Sequence, residues 1–115
     1  MAEAAALAIS AAIEAPVAWL AVRLARWPCR GLLDAALAAA VATAVTHPQL
    51  WAAAEWAYPR YGFWPSAIGL EAMVVAVEAL LIAWMAQLAL HRAFVVSVLA
   101  NLASCLAGLV SFRVV

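Results

Sequence analysis

Residues 66–90 have the sequence SAIGLEAMVVAVEALLIAWMAQLAL, in which Glu71 and Glu78 are the only ionisable side chains. A helix that crosses the ~30 Å hydrocarbon layer of a bilayer needs about 20 mostly apolar residues. The stretch exceeds that length, and His91 and Arg92 follow it directly. It therefore predicts a transmembrane helix that carries two acidic side chains.

The composition of the whole chain extends this prediction. Of its 115 residues, 71% are hydrophobic and 10% are charged, and the net charge is zero. Soluble domains carry about 25% charged residues, so this chain could not cover a globule in water. A soluble domain and a disordered chain are therefore excluded. The zero net charge also excludes a nucleic-acid binder, and the cysteine content excludes a disulfide scaffold.

Three other apolar stretches predict transmembrane helices. Backbone amides in lipid must bond within their own segment, so each stretch is expected to be helical. The second of the four spans is short and rich in alanine, and Pro48 is expected to end or kink it. Residues 49–58, with aromatic rings around Glu55, predict an interfacial helix. The expected fold is one all-α transmembrane domain over residues 1–115, with four spans as two hairpins, at about 4–24, 31–47, 66–90 and 93–112.

The arginines predict the orientation of the chain in the membrane. The first stretch is interpreted as a span because its start lacks the basic residues that begin a signal peptide. More arginines fall on the two odd loops, residues 23–30 and 91–92, than on the opposite side. The positive-inside rule then places these loops inside and both termini outside, in what we expect to be a bacterial inner membrane. The arginines of the odd loops are Arg23, Arg26, Arg30 and Arg92, and those of the opposite side are Arg60 and Arg113.

Polar side chains within the spans are the candidate functional residues. Glu14, Glu78 and Asn101 lie near the middle of their spans, and Glu71 lies nearer the outer end. Ionisable residues inside a membrane are costly and are often functional. One interpretation is a carboxylate pair, Glu14 and Glu78, that binds a proton or cation and serves as a relay. The other is that each glutamate hydrogen-bonds a neighbouring helix and holds the bundle together.

His47 and the cysteines allow weaker predictions. His47 is interpreted first as an interfacial hydrogen-bond donor, and it is also a weak candidate ligand for a haem or pigment. Its spacing to other residues supplies no third ligand for a metal ion. Asp34 is expected to pair with Arg30, and both cysteines are expected to be free thiols.

Small and aromatic residues predict which surfaces pack and which meet the interface. Small residues at four-residue steps allow close contact between helices, and tryptophan favours the membrane–water boundary. The predicted packing residues are Ala100, Ser104 and Gly108 in the fourth span and Gly31, Ala35 and Ala39 in the second. The predicted interfacial anchors are Trp51, Trp56, Trp64 and Trp27.

Two resemblances to known groups can be stated. Thr46-His47-Pro48, the segment from Glu71 to Glu78, and Asn101-Leu102-Ala103-Ser104 resemble a loose group of small four-helix bacterial membrane proteins of uncharacterised activity, and this resemblance implies no function. The length, the four spans and Glu14 are similar to the small multidrug resistance transporters. However, the glycine-rich third helix of that family is missing, and Glu71 and Glu78 are foreign to it, so we set this family aside.

Catalytic and phosphate-binding motifs are missing from the sequence, so we expect a protein that is not an enzyme. The leading hypothesis is a small integral membrane subunit that packs into a larger assembly, such as an energy-converting or photosynthetic complex. Its expected partners are the lipid bilayer and either further copies of the chain or other membrane subunits. The alternative is a proton- or cation-coupled transporter that acts as a homo-dimer. A weaker alternative is a pigment- or haem-binding module that uses His47.

Overall fold

A computed structural model describes the backbone of residues 3–114 and the side chains of residues 4–108. The described chain forms four helices: α1 (Glu3–Ala25), α2 (Leu32–Tyr61), α3 (Phe63–Ala86) and α4 (Leu90–Val114). The connections are short, residues 26–31, 62 and 87–89, and such short connections make consecutive helices antiparallel. The all-α fold expected from the sequence is therefore confirmed.

Two of the helices end on residues with left-handed backbone conformation. Arg26 and Gln87 both have φ of 55°. Beyond them, the Trp27 amide donates to the Val22 carbonyl (3.3 Å) and the Leu88 amide donates to the Ala83 carbonyl (3.1 Å). These bonds span five residues, as in the Schellman motif, and satisfy carbonyls at the helix ends.

The first and third connections lie together at one end of the bundle. The Arg30 amide donates to the Ala86 carbonyl at 2.7 Å, which joins the first connection to the end of α3. The Arg92 guanidinium lies 5.8 Å from the centre of the Trp27 ring, a distance compatible with a cation–π contact. We call this the Arg-rich end, and we call the opposite end, where Gly62 joins α2 to α3, the turn end.

The helices form a ring in which each packs against its neighbours in the chain and α1 closes the ring against α4. The half of the ring next to the Arg-rich end has a dense apolar core. This core is built largely from alanine, so the helices approach closely. Its members are Ala18, Val22, Ala35, Ala38, Ala39, Ala42, Ile82, Ala86, Leu88, Ala93 and Val96.

Three helices are long and apolar enough to cross a membrane: Ala4–Ala25, Phe63–Ala86 and Leu90–Gly108. They correspond to the first, third and fourth predicted spans, and they make a membrane location plausible. Among the residues that the structure describes, α2 does not meet this criterion, although it contains the predicted second span. The sequence prediction of four spans is thus supported for three.

The predicted interfacial helix at residues 49–58 is not present as a separate element. Helix α2 runs through Pro48 and Pro59 as one helix of 30 residues. A proline removes one backbone donor from a helix, and membrane bundles tolerate this where neighbouring groups compensate. The third span was also placed too far along the chain: α3 ends at Ala86 because Gln87 turns left-handed, and α4 begins at Leu90 instead of Ala93.

Candidate functional site

A central cavity of about 620 Å³ occupies the half of the ring next to the turn end. All four helices line it, with Glu14 on α1, His47 on α2, Glu71 and Glu78 on α3, and Asn101 on α4. The cavity continues past Trp51 to Tyr58, Pro59 and Phe63 near the turn. The four polar residues singled out in the sequence therefore share one cavity with His47.

Glu78 accepts hydrogen bonds at both of its carboxyl oxygens. Thr46 Oγ1 on α2 donates to Glu78 Oε1 at 3.0 Å, and Asn101 Nδ2 on α4 donates to Glu78 Oε2 at 2.9 Å. The residue is buried, with 2% of its surface exposed. Glu78 thus ties three helices together at the level where the alanine core ends and the cavity begins.

Glu14 is equally buried, but only one of its two carboxyl oxygens accepts a hydrogen bond among the described residues. Thr43 Oγ1 on α2 donates to Glu14 Oε2 at 2.7 Å. The other oxygen, Oε1, is buried without a hydrogen-bond partner among the described residues. A buried polar atom without a partner is unfavourable unless something binds it, so Glu14 Oε1 is the first candidate contact for a ligand in the cavity.

Side-chain hydrogen bonds join every neighbouring pair of helices in the ring. Thr43 joins α2 to α1, and Thr46 joins α2 to α3. Ser97 Oγ donates to the Val75 carbonyl at 3.0 Å, which reinforces the α3–α4 pair. Ser104 and Ser10 hydroxyls, 3.2 Å apart, join α4 to α1. We call this set the polar belt. The serines Ser10 and Ser104 and both threonines also line the cavity.

His47, like Glu14, has a buried polar side-chain atom without a hydrogen-bond partner in the described part of the chain. It is 8% exposed and lines the cavity, and its Nε2 has no hydrogen-bond partner among the described residues. Its ring centre lies 5.8 Å from that of Trp51. Within the described residues, no group of three or more His, Cys, Asp or Glu side chains is placed to hold a metal ion.

The predicted packing residues differ in how deeply they are buried. Ala35, Ala39 and Ala100 are buried in the bundle, while Gly31 is half-buried and Gly108 is exposed. Ser104 bonds Ser10. The small residues that are buried therefore pack inside a single chain.

The predicted anchor tryptophans differ in exposure and in position. Trp56 and Trp64 are exposed near the turn end, and Trp27 is half-buried at the Arg-rich end. Trp51 lines the cavity, and its Nε1 donates to Glu55 Oε1 at 3.0 Å.

At the Arg-rich end, the expected pairing of Arg30 with Asp34 is confirmed, with Nε and Oδ2 4.0 Å apart. Both cysteines, Cys29 and Cys105, are free thiols, as expected.

The sequence did not identify Thr43 and Thr46 as donors to the glutamates. Both face into the ring from the middle of α2, and each hydroxyl oxygen also lies 2.9 Å from the carbonyl oxygen four residues earlier, so its single hydrogen is shared between two acceptors. Their spacing of three residues places them on one helix face. The spacing can be read from the sequence, but the sequence does not show which helices lie opposite the two threonines.

No protein-family model matches the chain, and neither a curated protein nor a solved structure matches it. The function must therefore be argued from the cavity and the residues that line it.

Proposed function

We propose that the chain is a small integral membrane protein that carries a proton or a small cation through its central cavity, with Glu14 and Glu78 as the coupling pair. The observation that carries this proposal is a cavity inside an apolar bundle that is lined by both carboxyl groups. Ionisable residues at the centre of a membrane helix cost about 2.5–3.5 kcal/mol each on insertion scales. A bundle that needed only packing could avoid this cost with apolar side chains.

The proposal includes a bilayer crossing by α2. Helices α1 and α3 both end at the Arg-rich end, because the Arg30 amide bonds the last residue of α3. If both of these apolar helices cross the bilayer, the chain must return between them, and α2 is the helix that lies between them in sequence. Its polar side chains Thr43, Thr46 and His47 are buried inside the ring, which accounts for its weaker hydropathy.

The proposed orientation follows the arginines. Residues 23–30 and 91–92 lie together at the Arg-rich end, so the positive-inside rule favours this end on the cytoplasmic side. Four crossings then place both termini outside, in a bacterial inner membrane. The central cavity lies in the half of the bundle that faces outward.

The test is flux in liposomes. Protein reconstituted with an entrapped pH-sensitive dye is exposed to a potassium diffusion potential, and proton entry is followed. The Glu14→Gln variant and the Glu14→Gln/Glu78→Gln double variant are expected to lose the flux. Asp34→Asn removes a carboxylate at the Arg-rich end, outside the cavity, and is expected to leave it unchanged. Undiminished flux in the double variant would refute the coupling pair.

The second candidate is a subunit of a larger membrane assembly, formed with further copies of the chain or with other proteins. It is favoured by Gly69 and Gly108, which are exposed near the turn end of α3 and α4. Apart from the neighbouring residues and backbone of its own helix, a Cβ added at either glycine would meet no atom within 4 Å, so another helix could approach closely there. Extraction in mild detergent tests this candidate, because an assembly subunit should purify with a partner or as an oligomer.

A further inference from the structure

We propose that the ligand of the central cavity is a primary organic ammonium ion with an apolar body, that Glu14 binds it directly, and that Glu78 holds the helices together without contacting the ligand. This inference rests on the proposed function, because it assumes that the cavity accepts a cation. It goes further by assigning different roles to the two glutamates and by naming the chemical class of the ligand.

The different roles follow from the hydrogen bonds of the two carboxyl groups. Glu78 already accepts one bond at each oxygen, from Thr46 and from Asn101. A ligand would have to displace one of these donors, which belong to the ring itself. Glu14 accepts one bond, from Thr43, and leaves Oε1 unpartnered while it lines the cavity. A cation can therefore bind Glu14 without breaking the polar belt.

The requirement for N–H donors follows from His47. It lies four residues after Thr43 on the same face of α2, about 6 Å farther along the helix axis. Its Nε2 is also buried, unpartnered and part of the cavity lining. A primary ammonium group has three N–H donors, so we infer that one bonds Glu14 Oε1 and another bonds His47 Nε2 in the tautomer that carries its hydrogen on Nδ1. A quaternary ammonium ion has none.

The size and walls of the cavity favour an organic cation over a bare metal ion. A volume of about 620 Å³ lies within the range of about 300–1,000 Å³ that is usual for small-molecule sites. Ca²⁺ and Mg²⁺ take six or more oxygen ligands and Zn²⁺ takes four nitrogen, sulfur or oxygen ligands, whereas no group of three or more His, Cys, Asp or Glu side chains among the described residues is placed to hold a metal ion. Toward the turn end, the rings of Trp51, Tyr58 and Phe63 line the cavity, where they can contact an apolar body or the cation itself.

Calorimetric titration of the purified full-length chain in detergent micelles tests this inference. The probe is 2-phenylethylammonium, and the matched probe is (2-phenylethyl)trimethylammonium, which has the same ring and charge but no N–H donor. The primary ion is expected to bind at least tenfold more tightly than the quaternary ion. Equal affinities, or no binding of the primary ion, would overturn the inference.

Variants of the two glutamates separate ligand binding from support of the fold. Glu14→Gln is expected to weaken binding of the primary ion at least tenfold, and His47→Phe is expected to weaken it severalfold while leaving the quaternary ion unaffected. Glu78→Gln is expected to lower the melting temperature but to change the affinity of the folded protein less than threefold. If Glu78→Gln fails to fold, Thr46→Val replaces it, because it removes one donor to Glu78 and leaves Glu14 in place.

The outcomes distinguish this inference from the proposed function. Binding of the primary ion that depends on Glu14, without flux in liposomes, would support the site and refute the carrier. Flux that depends on Glu14, without binding of the primary ion, would support the carrier and refute the ligand class. An equal loss of affinity in Glu14→Gln and in folded Glu78→Gln would refute the assigned roles. Asp34→Asn is the control, and its affinity should equal that of the unmodified chain.

Discussion

Glu14 and Glu78 are both mid-helix carboxyl groups, yet they differ in how many of their oxygens are used. Both oxygens of Glu78 accept bonds from the ring, whereas Glu14 keeps one oxygen for the cavity. Hydropathy and spacing predicted that Glu14, Glu78 and Asn101 lie near the middle of their helices, and all three line the central cavity. The different number of hydrogen bonds that the two carboxyl groups accept was not predictable. The donors Thr43 and Thr46 contact the glutamates only when α2 lies between α1 and α3.

Asn101→Leu is expected to destabilise the bundle. The change removes the donor to Glu78 Oε2 and leaves a buried carboxyl oxygen without a partner, which costs about 1–3 kcal/mol. Thermal unfolding in detergent, followed by tryptophan fluorescence, should show a lower midpoint. Leu102→Ala, at the exposed neighbouring position, should change the midpoint much less. Equal midpoints for Asn101→Leu and the unmodified chain would contradict the role of Asn101 as a stabilising donor to Glu78.

At the scale of the helix, apolar length predicted which segments are helical, but it did not predict where they end. The sequence interpretation placed the second span at about 31–47, with Pro48 to end or kink it, and a separate interfacial helix at 49–58, whereas the structure has one helix that continues to Tyr61. It also extended the third helix to Leu90, and the structure ends it at Ala86, before the left-handed Gln87. A left-handed residue other than glycine is not visible in hydropathy, because it depends on the contacts that hold the connection in place.

Gly62 provides a direct test of the turn between α2 and α3. It has φ of 83° and ψ of 168°, a region of backbone conformation that is essentially limited to glycine. Gly62→Ala is therefore expected to cost about 1–3 kcal/mol, measured as a lower thermal midpoint. Gly69→Ala is the matched control: this glycine is helical and a Cβ there has open space, so alanine should stabilise by about 0.5–1 kcal/mol. Shifts in the same direction for both variants would refute this account of the turn.

At the scale of the whole molecule, packing changes from one end of the bundle to the other. Alanines bring the helices close together at the Arg-rich end, the polar belt crosses the middle, and the cavity occupies the half next to the turn. The alanine seam of α2 was visible in the sequence at Ala35 and Ala39. The cavity was not, because residues of all four helices line it and their arrangement exists only in the folded chain.

Enlarging an alanine in the core should separate helices that now touch. Ala39 is 1% exposed, so the extra atoms in Ala39→Leu have no space, and overpacking costs about 1–3 kcal/mol. A lower thermal midpoint in detergent is expected. Ala52→Leu adds the same atoms at an exposed position of the same helix and should leave the midpoint nearly unchanged. If both variants unfolded at the same temperature, the core would not be as tightly packed as described.

The arrangement of the helices across the bilayer can be tested at the two ends of α2. Pro28 precedes α2 at the Arg-rich end and Tyr61 is its last residue at the turn end, and both are exposed. After Cys29→Ser and Cys105→Ser, single cysteines are introduced as Pro28→Cys or Tyr61→Cys, which leaves every arginine in place. A membrane-impermeant maleimide applied to intact cells should label Tyr61→Cys, while Pro28→Cys should react only after the cells are lysed.

These two positions test whether α2 crosses the bilayer, because they lie at its two ends and no other helix lies between them in the sequence. If α2 crosses, the two cysteines must react on opposite sides whatever the orientation of the chain. If α2 lies along the surface, they must react on the same side, and α1 and α3 could not both cross as a parallel pair. Opposite sides with Pro28→Cys outside would keep the four crossings and reverse only the orientation, so that the cavity would face the cytoplasm.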